Sequence, residues 1–262
     1  MANTQRERRQ PCRDLANSRR SGTRQVLTPQ RGQDLLMSRT ARYDDIADWY
    51  RSWVREHGDG LIAEGTGDLL PSPLRDRRVL DVACGHGRAT RALARHGAHA
   101  VGVDLSEPLV RAARAAELED GHGVRYHVAD VADIAEWWDG EPFDGAICEM
   151  AVMDLDDLSG VVRGVAATVR PGGWFLLSMV HPCFPGSDAG LSSWPPHRSY
   201  FDEGWWTSAD HNPDGVRRRV GSSHRTLSTV LNTLIESGFS IDRVVEPRAL
   251  VPTYLLIRCT LD

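Results

Sequence analysis

Arg78-Val-Leu-Asp-Val-Ala-Cys-Gly-His-Gly-Arg88 is the stretch that decides the fold. Its apolar start ends on an acid, Asp81; Gly85 and Gly87 then make a tight turn, and Arg88 to His96 reads as a helix. An apolar run, a glycine turn and a helix, in that order, open a β–α–β unit. The pattern repeats down the chain. Ala100-Val-Gly-Val-Asp104 is a second strand ending in an acid, with an Ala-rich helix from Leu109 to Leu118 behind it. Val124 to Ala129 is a third strand, followed by Asp130. Phe143 to Cys148 is a fourth, followed by a helix from Leu158 to Val169. Pro171-Gly-Gly173 turns into a fifth strand, Trp174 to Val180. Strands alternating with helices at this pitch predict an α/β fold, a parallel sheet with helices on both faces. A helix from Leu227 to Ser237 and two strands, Ile241 to Glu246 and Tyr254 to Thr260, complete the pattern.

Open sheets of this kind bind ligands beyond the carboxyl ends of their strands. That edge carries Asp81, the Gly85/Gly87 turn, Asp104 and Asp130. The glycines let backbone approach a ligand closely. An acid at the end of the second strand can accept two ribose hydroxyls. Gly-x-Gly alone would suit a dinucleotide equally well, but two features separate the cases. The third small residue of the dinucleotide fingerprint is replaced by Thr90. Asp81, at the start of the loop, opposes a diphosphate and suits an ammonium group.

The ordered set of motifs resembles the class I S-adenosylmethionine (SAM) dependent methyltransferases, in the small-molecule branch that includes the ubiquinone-biosynthesis type. It covers Tyr43 to Thr260 and rests on Val79-Leu-Asp-Val-Ala-Cys-Gly-His-Gly87, Val101-Gly-Val-Asp104, Ala129-Asp130-Val131, Phe143-Asp144 and Arg170-Pro-Gly-Gly173. The resemblance implies a Rossmann-like, seven-stranded, mostly parallel sheet with an antiparallel last strand, SAM as cofactor and S-adenosylhomocysteine as product. It implies that Asp81, Ala83 and the Gly85/Gly87 loop hold the methionine end, Asp104 the ribose, and Asp130 with Val131 the adenine. Leu105, Tyr43 and Glu149 are expected at the cofactor as well. Family members often carry Gly where this chain has Ala83.

Methyl transfer from a sulfonium needs alignment, and a base when the nucleophile carries a proton. All 31 Lys+Arg positions are arginine. A lysine base is therefore excluded, as are a Walker-type phosphate loop and Schiff-base chemistry. The catalytic candidates are His181 after the fifth strand, His224 before the last helix, Tyr50, and Glu149 after the fourth strand. Tyr43, Asp154, His197 and His211 complete the possible bases. Residues 181–221 break the α/β rhythm and are dense in aromatics, which reads as a lid over the acceptor. Expected substrate contacts are Trp49, Tyr50, Met150, His181, Phe184, Tyr200, Trp205 and Trp206. Aromatic walls suit a flat aromatic or heteroaromatic acceptor, such as an indole or another tryptophan-derived compound.

Rival chemistries find less support. Amino-group methylation of bases usually uses an Asn/Asp-Pro-Pro-aromatic run after the fourth strand, where this chain has Cys148-Glu-Met-Ala151. Pro182-Cys183 follows the wrong strand for cytosine C5 chemistry. Asp154, Asp156 and Asp157 could hold Mg²⁺ but equally begin a helix, where acids are favoured, and no metal is expected. Residues 1–36 hold eight arginines against Glu7, Asp14 and Asp34, a net +5. They are predicted to be a disordered basic arm ahead of a methyltransferase domain at 37–262. A nucleic-acid or protein methyltransferase using that arm is one alternative, and a non-catalytic SAM-binding module another. Residues 37–262 carry a net −10, which disfavours nucleic acid as a partner. The five cysteines lack a C-x-x-C pair, and no apolar run approaches the ~18 residues of a membrane span. A cytoplasmic, reduced protein without membrane contact, monomeric or homodimeric, is the expectation.

Overall fold

The computed structural model describes residues 41–57, 65–184, 198–207, 215–249 and 252–262. The basic arm at 1–36, His197 and His211 lie outside the described residues. Strands β1 (Arg78–Val82), β2 (His99–Asp104), β3 (Arg125–Val128), β4 (Phe143–Glu149) and β5 (Val169–Val180) pair in parallel in the order 3-2-1-4-5. The antiparallel pair β6 (Gly204–Trp206) and β7 (Ser222–His224) forms a separate two-stranded sheet within the aromatic segment. The main sheet ends with β8 (Phe239–Val245) and β9 (Tyr254–Leu261); β9 lies between β5 and β8 and is antiparallel to both. Six strands of the seven therefore run one way and β9 alone runs back, the mostly parallel Rossmann-like sheet that was expected. The small β6–β7 sheet was not legible in the sequence, because strands of three residues are too short for a period-2 pattern.

Both faces of the sheet are covered, which explains why its central strands are apolar without alternation. Val79 to Val82 are all buried. Leu80, Val82, Val101 and Phe175 face a core closed by Val161 and Val165 of α6 (Leu158–Thr168) and Val230 and Leu234 of α8 (Leu227–Glu236). Val79, Ala100, Ile147 and Leu176 face the opposite core, closed by Leu93 of α3 (Arg88–Arg95) and Val110 and Ala113 of α4 (Glu107–Asp120). The edge strand β8 is exposed along most of its length, as an edge strand tolerates.

Local chemistry sets the helix starts. The Ser106 hydroxyl caps α4 by accepting from Leu109 N, and the Asp157 carboxylate caps α6 by accepting from Gly160 N at 2.7 Å. Each such cap contributes about 1 kcal/mol. Strand order reverses at β1, which has β2 on one side and β4 on the other, so the crevice lies at the carboxyl ends of β1, β2 and β4.

One packing contact shapes a wall of that crevice. Helix α6 approaches the loop after β3 so closely that a Cβ on Gly164 would stand 2.2 Å from the Val131 carbonyl oxygen. The obstacle is backbone and cannot rotate away. Gly164→Ala should therefore cost about 1–3 kcal/mol of stability by overpacking and shift the Asp130–Val131 loop. Chemical denaturation measures the first effect, and affinity for a ligand of the crevice the second.

Candidate active site

A cleft of about 420 Å³ opens at this switch point. Asp81, Ala83, Gly85 and His86 enter it from β1 and its turn, Asp104 and Leu105 from the end of β2, Asp130 and Val131 from the loop after β3, and Glu149 and Met150 from the end of β4. Arg42, Tyr43 and Tyr50 enter from the N-terminal side, Tyr50 on α1 (Ala47–His57). Among the expected cofactor residues, only Gly87 is absent from this lining. The two glycines of the turn serve different ends. Gly85 has φ +55, and a Cβ there would meet nothing within 4 Å. Gly87 has φ +78, and a Cβ there would lie 2.4 Å from Tyr126 Oη, so it lets the turn pack on β3.

Ala83 and Met150 both hold positive φ, +54 and +53, a region that costs a residue with a Cβ about 1–2 kcal/mol. Met150 is held by its amide, which donates to the Ser178 carbonyl and hydroxyl oxygens at 3.0 and 2.9 Å. Ser178 in turn donates to Glu149 Oε2 at 2.6 Å, which orients that carboxylate. Two of the three non-glycine residues with positive φ among the described residues thus line the cleft; the third, Asp76, does not.

The electrostatics of the cleft are unbalanced. Asp81 is buried and accepts from the Thr90 hydroxyl at 2.6 Å. Burial pushes its carboxyl up to about 7, and repulsion from Glu149 and Asp104 adds to that. Asp104 receives Gly85 N on Oδ2 at 2.7 Å and Ser106 N on Oδ1 at 2.8 Å. Burial outweighs these two amides and raises it to about 6. A buried and a partly buried carboxyl with elevated proton affinity, and a third beside them, make a site that a cation would relieve. Restoring Asp81 to the ordinary carboxylate range would gain on the order of 4 kcal/mol.

The opposite wall is phenolic. Tyr43 and Tyr50 meet edge to face at 4.8 Å. Burial, and next the nearby Asp154 carboxylate, push Tyr50 up to about 12 and Tyr43 well above its ordinary range. Both are neutral donors at physiological pH. Tyr43 donates to Asp154 Oδ1 at 3.3 Å, and the buried Arg217 of α7 (Val216–Val220) holds both oxygens of the same carboxylate. Asp156 pairs with Arg42, and Asp157 is the cap of α6. The three acids considered for a metal are thus engaged in protein contacts.

The remaining sequence candidates lie elsewhere. His181 is buried outside the cleft lining; its Nε2 lies 2.7 Å from Glu246 Oε1, and its Nδ1 accepts from Cys183 N at 3.1 Å. His224, on β7, places Nε2 2.8 Å from the Tyr200 carbonyl oxygen. Neither ring borders the cleft, because the β6–β7 pairing and the end of β5 draw both into structural contacts. Trp49 and Trp205 lie outside the cleft lining, each with an arginine over one face: Arg219 lies 4.1 Å over the Trp49 ring and Arg42 lies 5.4 Å over that of Trp205. Trp206 is buried, Phe184 is exposed, and the Tyr200 hydroxyl accepts from Leu227 N at the α8 start, at 2.6 Å. Among the described residues the aromatic surface of the cleft is therefore Tyr43, Tyr50 and His86, and Trp205 and Trp206 of the expected lid do not border it. Sequence reasoning missed His86, Arg42 and Arg88. The signal for His86 and Arg88 was present, since both lie in or beside the glycine turn.

Comparisons with known proteins point the same way. The family described as "Methyltransferase domain" matches residues 79–173. An S-adenosylmethionine dependent methyltransferase from Mesorhizobium loti, of known crystal structure, is 31% identical with a TM-score of 0.60, over 75% of this chain and 95% of that one. The ubiquinone biosynthesis O-methyltransferase of Bordetella avium is 38% identical over 112 residues, 43% of this chain and 46% of the relative. The same-named enzyme of Hahella chejuensis is 31% identical over 160 residues, 59% of this chain and 65% of the relative. The chain thus spans about half the length of the curated relatives it matches.

Two outcomes follow from this geometry. Asp81 binds its proton more tightly folded than unfolded, so its contribution to stability is present at low pH and is lost as pH rises from about 4 to about 7. Asp81→Asn should therefore raise the melting temperature of the ligand-free protein more at pH 8 than at pH 4.5; an equal shift at both would contradict the assigned burial. Ala83→Gly should stabilise by about 0.5–1 kcal/mol, relief of the left-handed backbone offset by glycine entropy, read from the denaturant midpoint.

Proposed function

The chain belongs to the class I SAM-dependent methyltransferases, and on that premise we propose that it transfers the methyl group of SAM to a small aromatic or heteroaromatic acceptor. The observation that carries this reading is the carboxyl pair Asp81, buried, and Asp104, partly buried, beside the glycine turn, both raised in proton affinity. SAM carries an ammonium and a sulfonium, and such a pair suits both charges. When bound, SAM supplies an activated methyl on a positively charged sulfur that departs as a neutral thioether.

In this reading each residue has a distinct task. Asp81 and Glu149 face the positive charges of the methionine end. Asp104 binds the ribose hydroxyls with the lone pairs that Gly85 N and Ser106 N leave open, since a carboxylate offers about four acceptor positions. Asp130 accepts from Ala132 N at 2.8 Å, which fixes the loop that, with Val131, borders the adenine. Tyr43 and Tyr50 wall the acceptor side and donate hydrogen bonds as neutral phenols. An acceptor with a flat ring fits two tyrosines and an imidazole; an indole is one such ring, and a hydroxylated ring of the kind suggested by the relatives' names is another. Alignment of acceptor and methyl is the main catalytic contribution asked of these walls.

The proposal includes a cytoplasmic enzyme, monomeric or homodimeric. No described helix is long and apolar enough to cross a membrane. The acidic balance of residues 37–262 favours a small acceptor over a polyanion. The rival reading, a nucleic-acid or protein methyltransferase, depends on residues 1–36.

Calorimetric titration with SAM tests the reading. Binding should release protons between pH 6 and 7.5, visible as a heat that varies with buffer ionisation enthalpy; SAM bound without proton release would count against the carboxyl pair as its site. Asp104→Ala should weaken SAM binding by about 100-fold, the scale of two charge-assisted hydrogen bonds. Deleting residues 1–36 should leave S-adenosylhomocysteine formation with phenolic and indolic acceptors unchanged, and loss of that turnover would favour the rival.

A further inference from the structure

His86 is the one histidine among the described residues that lines the cleft. It stands in the middle of the glycine turn, between Gly85 and Gly87, where backbone geometry aims it at the N-terminal helix. Its ring meets Tyr50 edge-on, with centroids 5.9 Å apart at 82°. Neither ring nitrogen has a hydrogen-bond partner among the described residues; the main-chain oxygen accepts from Arg91 Nη1 at 2.9 Å. The contrast with the other two candidates is sharp. His181 spends both nitrogens on Glu246 and Cys183, and His224 uses Nε2 on the Tyr200 carbonyl. A largely buried imidazole with both nitrogens unspent, bordering a ligand cleft, is placed for a ligand.

We propose that His86 contacts the methyl acceptor and takes up the proton the acceptor loses on methylation, an inference that rests on the methyltransferase reading. Burial holds the imidazole down to about 4, and the arginines facing it, Arg88 and Arg91 from α3 and Arg51 from α1, act in the same direction. His86 is therefore neutral before the reaction, with one nitrogen able to accept a hydrogen bond from an O–H or N–H. In the transfer, a lone pair on the acceptor atom forms the new bond to the methyl carbon. The C–S bond breaks with its electron pair left on sulfur, and the acceptor's proton passes to the free nitrogen of His86. The sulfonium charge is thereby exchanged for an imidazolium charge within one cleft. Asp81, Asp104 and Glu149, which favour a cation there, lose the first and gain the second. Proton affinity at His86 should accordingly be lower with SAM bound than with S-adenosylhomocysteine bound, because only the former is a competing cation. Water then takes the proton when the product leaves.

The inference can be tested without knowing the acceptor. In protein labelled with 13C at histidine C2, and with His86 assigned by its loss in His86→Asn, the His86 resonance should move on addition of either ligand. Its titration midpoint should correspond to at least tenfold weaker proton binding in the SAM complex than in the S-adenosylhomocysteine complex. A His86 resonance unmoved by both ligands, or equal midpoints in the two complexes, would overturn the proposal. With phenolic and indolic acceptors, His86→Asn should keep SAM affinity within about threefold and lose about 100-fold or more in kcat, the range of a general base. Exogenous imidazole should restore part of the activity of His86→Ala. Wild-type kcat in His86→Asn would overturn the proposal while leaving the methyltransferase reading intact, whereas failure of the wild-type protein to bind SAM would overturn that reading itself.

Discussion

The structure is organised around the burial of carboxyl groups where the parallel sheet reverses its strand order. Asp81 and Asp104 lie at the ends of adjacent strands beside the glycine turn, Asp81 buried and Asp104 partly buried. A buried acid without a cation is unfavourable, and the fold tolerates it here because the sheet core around Val79, Leu80 and Val103 is fully packed. The strained backbone at Ala83 and Met150 lies on the same rim. Stability given up in this small region is what makes the cleft complementary to a positively charged ligand.

The side of the cleft beyond β4 is built differently, from arginine. The turn after β4 is gripped from three directions. Arg42 donates to the Asp154 carbonyl at 3.3 Å and pairs with Asp156. Arg217 holds the Asp154 carboxylate, and Arg225 donates to the carbonyls of Val152, Leu155 and Asp156. A planar guanidinium can satisfy several acceptors at fixed angles, which a lysine ammonium does less well. In a chain without lysine, this segment is fixed by residues that cannot also serve as bases. Chemistry falls to neutral or acidic groups, and the phenols of Tyr43 and Tyr50 are held neutral by burial and by Asp154.

Much of the fold was legible in residue order. The five parallel strands with the helices among them, the glycine turn and the acids at the strand ends leave local marks, because a strand buried on both faces must be apolar and a tight turn needs glycine; the antiparallel last strand was implied by the family resemblance alone. The half of the cleft formed by the strand ends of β1, β2 and β4 and the glycine turn was legible for the same reason: its residues sit next to those marks. The other half was not. His181 and His224 each follow or precede a regular element at the active edge, and topology alone placed them near the chemistry. Their side chains turn instead toward Glu246 and the Tyr200 carbonyl, partners that are 65 and 24 residues away in sequence. Trp49 and Trp205 looked like open walls, but they lie outside the cleft lining, with Arg219 and Arg42 each over one face.

By itself, then, the sequence determined the layer architecture, the switch point, the acidic loop ends and the absence of any lysine chemistry. These properties follow from hydrophobic period, turn stereochemistry and composition, which act over a few residues at a time. Only the tertiary structure decided which of several plausible side chains meet in one cleft. It sent His181 and His224 into structural contacts, spent Asp154 on Arg217, and left His86 facing Tyr50. The physical reason is that hydrogen bonds and ion pairs between distant segments choose the direction of each side chain, and residue spacing carries no record of those partners.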